Sequence, residues 1–267
     1  MTLDIIVTTM HKSTEEIVAM CDRMNINSNV IVCNQANRFE KVILDHKNYK
    51  LTILTTDTRG LSLNRNIGIA CSTADLLLFM DDDGVFVPNY VQLIKENFSP
   101  KMMGAKFIVR SQNADRPLEE KNKSTKKAKM FSLMSSGVCG FVIRRRFLLF
   151  HNLFFNVSYG AGTDMFCGED SMFFKSLYRC TKSIYFIHEE LATVEQSTST
   201  WFAGYDDRYF CVKGYIYCSL YGFFRNLFFI RDYLLRKKLY AISWKKYRAL
   251  SQKGVKQFLE LKRKEKF

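Results

Sequence analysis

Apolar and polar positions along the first hundred residues follow two rhythms. Short, nearly unbroken apolar runs at 3–9, 29–33, 51–55 and 74–80 have the length and composition of strands. Between them, 14–24 places Ile17, Val18 and Cys21 at helical spacing behind Ser13, a residue suited to cap a helix, and 63–71 puts Ile67 and Cys71 on one face. Within the run at 74–80, five consecutive apolar residues, Leu76 to Met80, read as in strands buried on both sides of a sheet. Strands alternating with helices predict an open α/β sheet whose ligands sit at the carboxyl ends of its strands. Residues 115–129 (DRPLEEKNKSTKKAK) offer only Leu118 as an anchor and read as a surface loop or a solvated helix. A strand-like stretch at 141–143, an aromatic, glycine-bearing segment at 154–168 and a helix at 171–179 follow.

Charge changes the picture of the carboxyl end. The chain carries 40 Lys and Arg against 26 Asp and Glu, yet residues 225–267 alone hold 14 basic and 3 acidic residues, so the first 224 are almost neutral. In that tail Leu227, Phe228, Ile230, Leu234 and Leu235 are followed by Trp244, Tyr247, Leu250, Phe258 and Leu261 at helical spacing, with Lys245, Lys246, Arg248, Lys253 and Lys256 between them. Such a stripe fits an interfacial helix on anionic lipid, or a helix whose apolar face packs on protein while its lysines are solvated. Nucleic acid is not the expected partner, because the near-neutral body and its run of aspartates would repel a polyanion.

With 47% apolar residues the chain can build a core without disulfides. Its eight cysteines show no Cys-x-x-Cys spacing, which argues against zinc and for reduced, packed thiols in a cytoplasmic protein. No secretory signal is expected, and the most apolar segment, 215–235, is interrupted by Arg225, Arg231 and Asp232, so no membrane span is expected.

Three constellations could carry chemistry. Asp81, Asp82, Asp83 and Gly84 directly follow the apolar run, which sets three carboxylates at the ligand edge of the sheet. They repel one another unless a cation compensates them. In an extended stretch Asp81 and Asp83 would share a face, and two protein oxygens with phosphate and water completing the shell is how Mg²⁺ or Mn²⁺ is held at a nucleotide; capping of the next turn is the plainer reading. In the second, Arg59 to Gly68, Gly60 permits a tight turn, Ser62 can cap a helix and Arg65 lies one turn in, a ready anion site. In the third, Glu169 and Asp170 open a helix after Tyr159-Gly160-Ala161-Gly162-Thr163, either as helix-dipole partners or, among Phe166, Cys167, Met172 and Phe173, as a carboxylate raised toward general-base range.

The order of RGLSLNRNIGIACSTADLLLFMDDDG (59–84) and GAGTDMFCGEDSMFFKSL (160–177), with a weaker match in STSTWFAGYDDRYFCVKGYIYCSLYG (197–222), resembles the inverting family 2 glycosyltransferases of the GT-A fold found in bacterial polysaccharide gene clusters. The resemblance implies an α/β GT-A fold, a single Rossmann-like mixed sheet flanked by helices, over 1–222, with a nucleotide-sugar half at about 1–110, an acceptor half at about 130–222 and a basic helical tail at 223–267. It implies that Asp83 is a direct ligand of Mn²⁺ or Mg²⁺, with Asp81 beside it nearer the ribose and pyrophosphate and Asp82 also in the nucleotide site, and that Asp170 is the catalytic base. Thr8 and Thr9 match the nucleotide-base loop, Arg59 and Arg65 the donor side, and Cys139 and Gly140 the lining of the donor sugar and acceptor, with Glu169 next to the base.

Two positions depart from the family pattern. Where many members have an Asp that reads the nucleobase, this chain has Asn34 and Gln35 after Cys33, whose amides could still bond uracil. Where many carry a metal-assisting His, it has 192–196 (ATVEQ), with His188 a few residues early. The expected activity is sugar transfer from a nucleotide-diphosphate sugar, a UDP-sugar first, to a glycan or lipid-linked acceptor in cell-surface polysaccharide synthesis, in the cytoplasm and with the inner face of the cell membrane as the surface the tail would meet. The rivals are a sugar-phosphate nucleotidyltransferase, whose glycine-rich loop is missing after Thr9, and a non-catalytic protein that binds nucleic acid or a partner through the tail.

Overall fold

A computed structural model describes residues 1–111, 125–194 and 204–264. The described residues divide into a sheet unit, containing 1–111, 125–163 and 169–194, and a helical unit, containing 164–168 and 204–264.

In the sheet unit the chain runs β1 (Leu3–Met10), α1 (Thr14–Arg23), β2 (Val30–Gln35), β3 (Glu40–His46), β4 (Tyr49–Thr56), α2 (Leu61–Cys71), β5 (Leu76–Asp81), β6 (Gly84–Phe86) and α3 (Tyr90–Asn97). It continues through β7 (Gly104–Ser111), β8 (Lys126–Lys127), α4 (Met130–Met134), β9 (Phe141–Arg144), α5 (Arg145–Phe150), α6 (Glu169–Cys180) and β10 (Ile184–Val194). One mixed sheet results, in the order β3-β4-β2-β1-β5-β9-β7-β10-β6, with β8 paired to β10. Strands β4, β2, β1 and β5 are mutually parallel, and β9 enters antiparallel between β5 and β7. Ile5, Val7, Val32, Ile53 and Leu78, each at most 1% exposed, lie in the core beneath α1 and α3.

Local chemistry explains the elements nearest the site. Ser13 caps α1 in a reciprocal box: its hydroxyl accepts from Glu16 N (3.2 Å) and its own N–H donates to the Glu16 carboxylate (2.7 Å). Ser62, expected to cap α2, does not. Gly60 holds the cap position at φ +112°, and buried Ser62 instead donates to the Tyr159 carbonyl at 2.7 Å. Helix α2 lies almost on the sheet, because a Cβ on Gly68 would stand 2.6 Å from Ile6 Cγ2 and 3.3 Å from Cys33 Sγ. That close approach carries Arg65, three residues earlier, inward over the strand ends.

Other stretches differ from the reading of the sequence or fall outside the described residues. The edge strand β3, exposed at Glu40, Lys41, Ile43 and Asp45, was not expected: its apolar run is only Val42-Ile43-Leu44, set between charged residues. Asp82 and Asp83 lie in the turn between β5 and β6 rather than in an extended run, so the alternation expected to align Asp81 with Asp83 does not operate. The loop expected at 115–129 lies outside the described residues up to 124, while Lys126 and Lys127 form β8; of the 192–196 stretch only Ala192–Val194 is described, within β10.

The helical unit contains α7 (Asp207–Tyr221), a 3₁₀ turn (Gly222–Phe224), α8 (Arg225–Tyr240) and α9 (Trp244–Lys264). Helix α7 therefore groups with the tail, and the compact boundary precedes the expected one at 222/223. Helices α7 and α9 touch backbone to backbone: a Cβ on Gly254 would stand 1.8 Å from the Cys211 carbonyl oxygen, and one on Gly214 2.0 Å from that of Ser251. Phe210, Tyr240, Tyr247, Leu250 and Val255 form the core of this unit. Tyr247 and Leu250, expected on the stripe of an interfacial helix, are thus spent on packing. Asp232, 2% exposed, ties the helices together, accepting from Tyr240 and Tyr247 at 2.9 Å each and pairing with Lys213 at 2.8 Å and with Arg236. Among the described residues no helix is long and apolar enough to cross a membrane.

Candidate active site

The site forms where the carboxyl ends of β1 and β5, the first turns of α2, the loop before β9 and the start of α6 meet. Parallel register sets Thr8 beside Asp81, and the Thr8 hydroxyl lies 3.5 Å from Asp81 Oδ1. Thr9 donates to Asp82 Oδ2 at 2.5 Å, and Asp82 is further held by Lys12, 3.9 Å from its carboxylate, and by Arg23, which bonds its carbonyl at 2.6 Å.

Arg65 is the centre. Its guanidinium, 3% exposed, donates to Asp170 Oδ1 at 2.9 Å and Asp81 Oδ1 at 3.1 Å, and lies 3.7 Å from Glu169 Oε1. The Phe155 ring, 5.3 Å from the guanidinium carbon and stacked on Phe173, supplies an apolar wall. Burial works against the charge on Arg65, but Asp170, Asp81 and Glu169 more than offset it. One buried cation thus joins the carboxylate that ends β5 to the two that open α6.

The other oxygens are also engaged. Asp170 Oδ2 accepts from Val138 N at 2.9 Å, and Asp81 Oδ2 accepts from the Cys139 thiol at 3.2 Å. Burial first, then the charge of Asp81, keeps that thiol protonated. Lys106, 8% exposed, bonds the Cys139 carbonyl, and burial pushes its ammonium down. Gly140 adopts φ +75°, and a Cβ there would stand 2.5 Å from Val109 Cγ2 and 3.3 Å from the Phe107 carbonyl, so the turn that aims Val138 N tolerates no side chain. Glu169 is pushed up to about 7 by burial and then by Asp170, with Arg65 opposing.

Asp83 differs from its neighbours. It is exposed and among the described residues makes no ion pair, while desolvation of its carboxyl and then the charges of Asp81 and Asp82 raise its pKa. A carboxylate beside two others, opposed only in part by Arg23, suits a hard divalent cation. Among the described residues no three potential ligands converge on one point, so phosphate and water oxygens would have to complete any shell built on Asp83 and Asp81.

The expected residues do not all gather here. Asn34 is fully buried and its amide is spent locally, donating to the Lys12 carbonyl (2.9 Å) and Thr55 (3.2 Å) and accepting from Lys12 N (3.2 Å). Gln35, 6% exposed, accepts from Gly60 N at 2.8 Å. The Asn34 amide and the Gln35 amide oxygen therefore build the strand end. Arg59 is exposed, held by Asn37 (2.5 Å) and the carbonyls of Asp57 and Thr58 at the rim. Lys106, Val138 and Phe155 were not anticipated. A lysine inside the run Gly104-Ala105-Lys106-Phe107 was the signal for the first; a backbone N–H leaves none.

A mixed α/β sheet with acidic side chains at a parallel strand end and a helix start is the architecture of GT-A glycosyltransferases. Crystal structures of S. aureus TarS share it: residues 1–349 superpose with a TM-score of 0.56 at 13% identity, covering 81% of this chain and 64% of that one. The TarS complex with UDP-GlcNAc gives 0.57 at 14%, covering 97% and 89%. The family model for glycosyl transferase family 2 matches residues 9–170, a span that runs from Thr9 to Asp170, and the chain belongs to that family. An uncharacterized glycosyltransferase of Haemophilus influenzae is 27% identical over 103 residues, 36% of this chain, which spans about a third (35%) of that relative's length.

Proposed function

We propose that this glycosyltransferase is inverting and metal-assisted, moving a sugar from a nucleotide-diphosphate sugar to a hydroxyl of a glycan or lipid-linked acceptor in cell-surface polysaccharide synthesis. The observation that carries the reading is Arg65, whose buried guanidinium holds both Asp81 and Asp170 and so sets the diphosphate side and the base side of a displacement next to each other. Mn²⁺ or Mg²⁺ on Asp83, with Asp81 beside it, would supply neutralisation of the charge that builds on the leaving diphosphate. Asp170 takes the proton of the acceptor hydroxyl as it attacks the anomeric carbon from the opposite face. A single displacement without a protein nucleophile inverts that carbon.

With both Asp170 oxygens occupied, by Arg65 and by Val138 N, the base is held in one orientation. A diphosphate near Arg65 would compete for the guanidinium and free Asp170 Oδ1 for the acceptor, so donor binding precedes deprotonation. Glu169, held up to about 7, limits the negative charge beside the base. Thr8 and Thr9 orient the aspartates from β1. Because TarS has been crystallised with UDP and with UDP-GlcNAc, a UDP-sugar is the first donor to test. A lipid-linked acceptor would also give the basic tail a purpose, as a contact for the anionic inner face of the cell membrane.

The test is sugar transfer, with a thermal-shift screen of UDP-, GDP- and dTDP-sugars in the presence and absence of Mn²⁺ to find the donor. Asp170→Asn should keep the donor-induced shift and lose on the order of 10² to 10⁴ in kcat. Transfer at the wild-type rate by that variant would refute the assignment of the base.

A further inference from the structure

We propose that the face of α8 carrying Leu227, Ile230 and Leu234 is the surface that meets an anionic membrane, with Phe223 and Phe224 at its leading end. The inference rests on the membrane reading above and gives it an address other than the α9 stripe, whose Tyr247 and Leu250 are buried.

Leu227, Ile230 and Leu234 recur at intervals of three and four, so they share one side of the helix, and they are 64%, 46% and 61% exposed. Leu235 (67%) and Leu239 (58%) widen the strip, and Phe223 (87%) and Phe224 (61%) precede it. The opposite side of α8 is committed to the helical unit through Phe229, Asp232 and Tyr240, each at most 3% exposed. Seven large apolar side chains left in water along α8 and the 3₁₀ turn before it are an exposure that soluble surfaces avoid unless it is used.

Charge identifies the occupant. Arg231, Lys237 and Lys238 are exposed among the leucines, while the one acidic residue of α8, Asp232, is buried against Lys213 and Arg236. The exposed surface of α8 is therefore apolar and cationic with no carboxylate. A second copy related by a two-fold axis would bring these cations against their own copies, whereas anionic headgroups attract them and the acyl boundary accepts the leucines.

The experiment is co-sedimentation of the full chain with vesicles of phosphatidylcholine, alone or mixed with phosphatidylglycerol, at low and high salt. Light scattering and thermal melts run alongside, on wild type and on the triple variant Leu227→Ser, Ile230→Ser, Leu234→Ser, whose exposed positions leave the core intact. The expected result is salt-weakened binding of the wild type to anionic vesicles only, reduced by about tenfold or more in a triple variant that melts like wild type. No wild-type binding would overturn the membrane reading itself. Equal binding by the variant would overturn this face while leaving that reading standing. A wild-type dimer that the variant loses, with neither protein on lipid, would show a second copy as the occupant and overturn the proposal.

Discussion

Replacing Arg65 by methionine tests the central cluster most directly. The substitution keeps an unbranched apolar stem but removes the guanidinium that lies against all three carboxylates. Deleting one partner of a buried ion pair costs about 3–5 kcal/mol. Asp81, whose side chain is 39% exposed, contributes little of this because water screens it, whereas Asp170 and Glu169, at 24% and 12%, contribute most. The lower end, about 3 kcal/mol, is therefore expected, or a fall of about 6–12 °C in the melting transition of a unit this size. The pH dependence has a definite sign. Glu169 is already held at about 7, above its ordinary 4.5, so the folded state binds more protons than the unfolded state in that window and this group's contribution falls as pH rises through it. Without Arg65 the carboxyl rises further, so the deficit of Arg65→Met should widen toward about pH 8 and narrow toward about pH 5. Melting by scanning fluorimetry across that range measures it. A deficit below about 1 °C at the alkaline end, or one that grows on acidification, would refute the claim that Arg65 balances these carboxylates.

The remaining expectations are brief. Asp83→Asn should abolish the Mn²⁺-dependent part of the donor-induced thermal shift yet raise the metal-free melting point by about 1–2 °C, since it removes one charge from a repelling trio whose exposure keeps the gain small. Gly140→Ala should cost roughly 2–4 kcal/mol in urea denaturation, from the positive φ and the overlap with Val109. Gly254→Ala should destabilise the helical unit by about 3 kcal/mol or more, because its Cβ would meet backbone rather than a side chain able to turn away; hydrogen exchange in α7 and α9 would report it.

How much was legible in the sequence depended on whether the governing interactions were local. The five buried residues Leu76–Met80 followed at once by acidic residues marked the end of β5 and its chemistry, because one continuous strand supplies both. The capping box at Ser13 was readable for the same reason. The edge strand β3 was not, since its apolar run, Val42-Ile43-Leu44, is short and flanked by charges, and pairing with β4 supplies what the run alone does not. Nor was the entry of β9 between β5 and β7, whose pairing with β5 joins residues more than sixty positions apart. Asn34 and Gln35 had the right chemistry for a base contact and the right place at a strand end, but tertiary bonds to Lys12, Thr55 and Gly60 claimed the Asn34 amide and the Gln35 amide oxygen. Ser62 lost its capping role to a carbonyl ninety-seven residues away.

The bond from Gly60 N to the Gln35 amide oxygen has an evolutionary consequence. It fastens the tip of β2 to the turn that launches α2, and α2 delivers Arg65 to the carboxylates. Gln35 is therefore not a position at which ligand preference can drift freely, because exchanging it slackens the mount of the arginine. Adaptation to a different ligand at this end of the sheet would start instead from exposed neighbours such as Asn37, Arg38 and Arg59, which can vary without disturbing the charge balance at the centre.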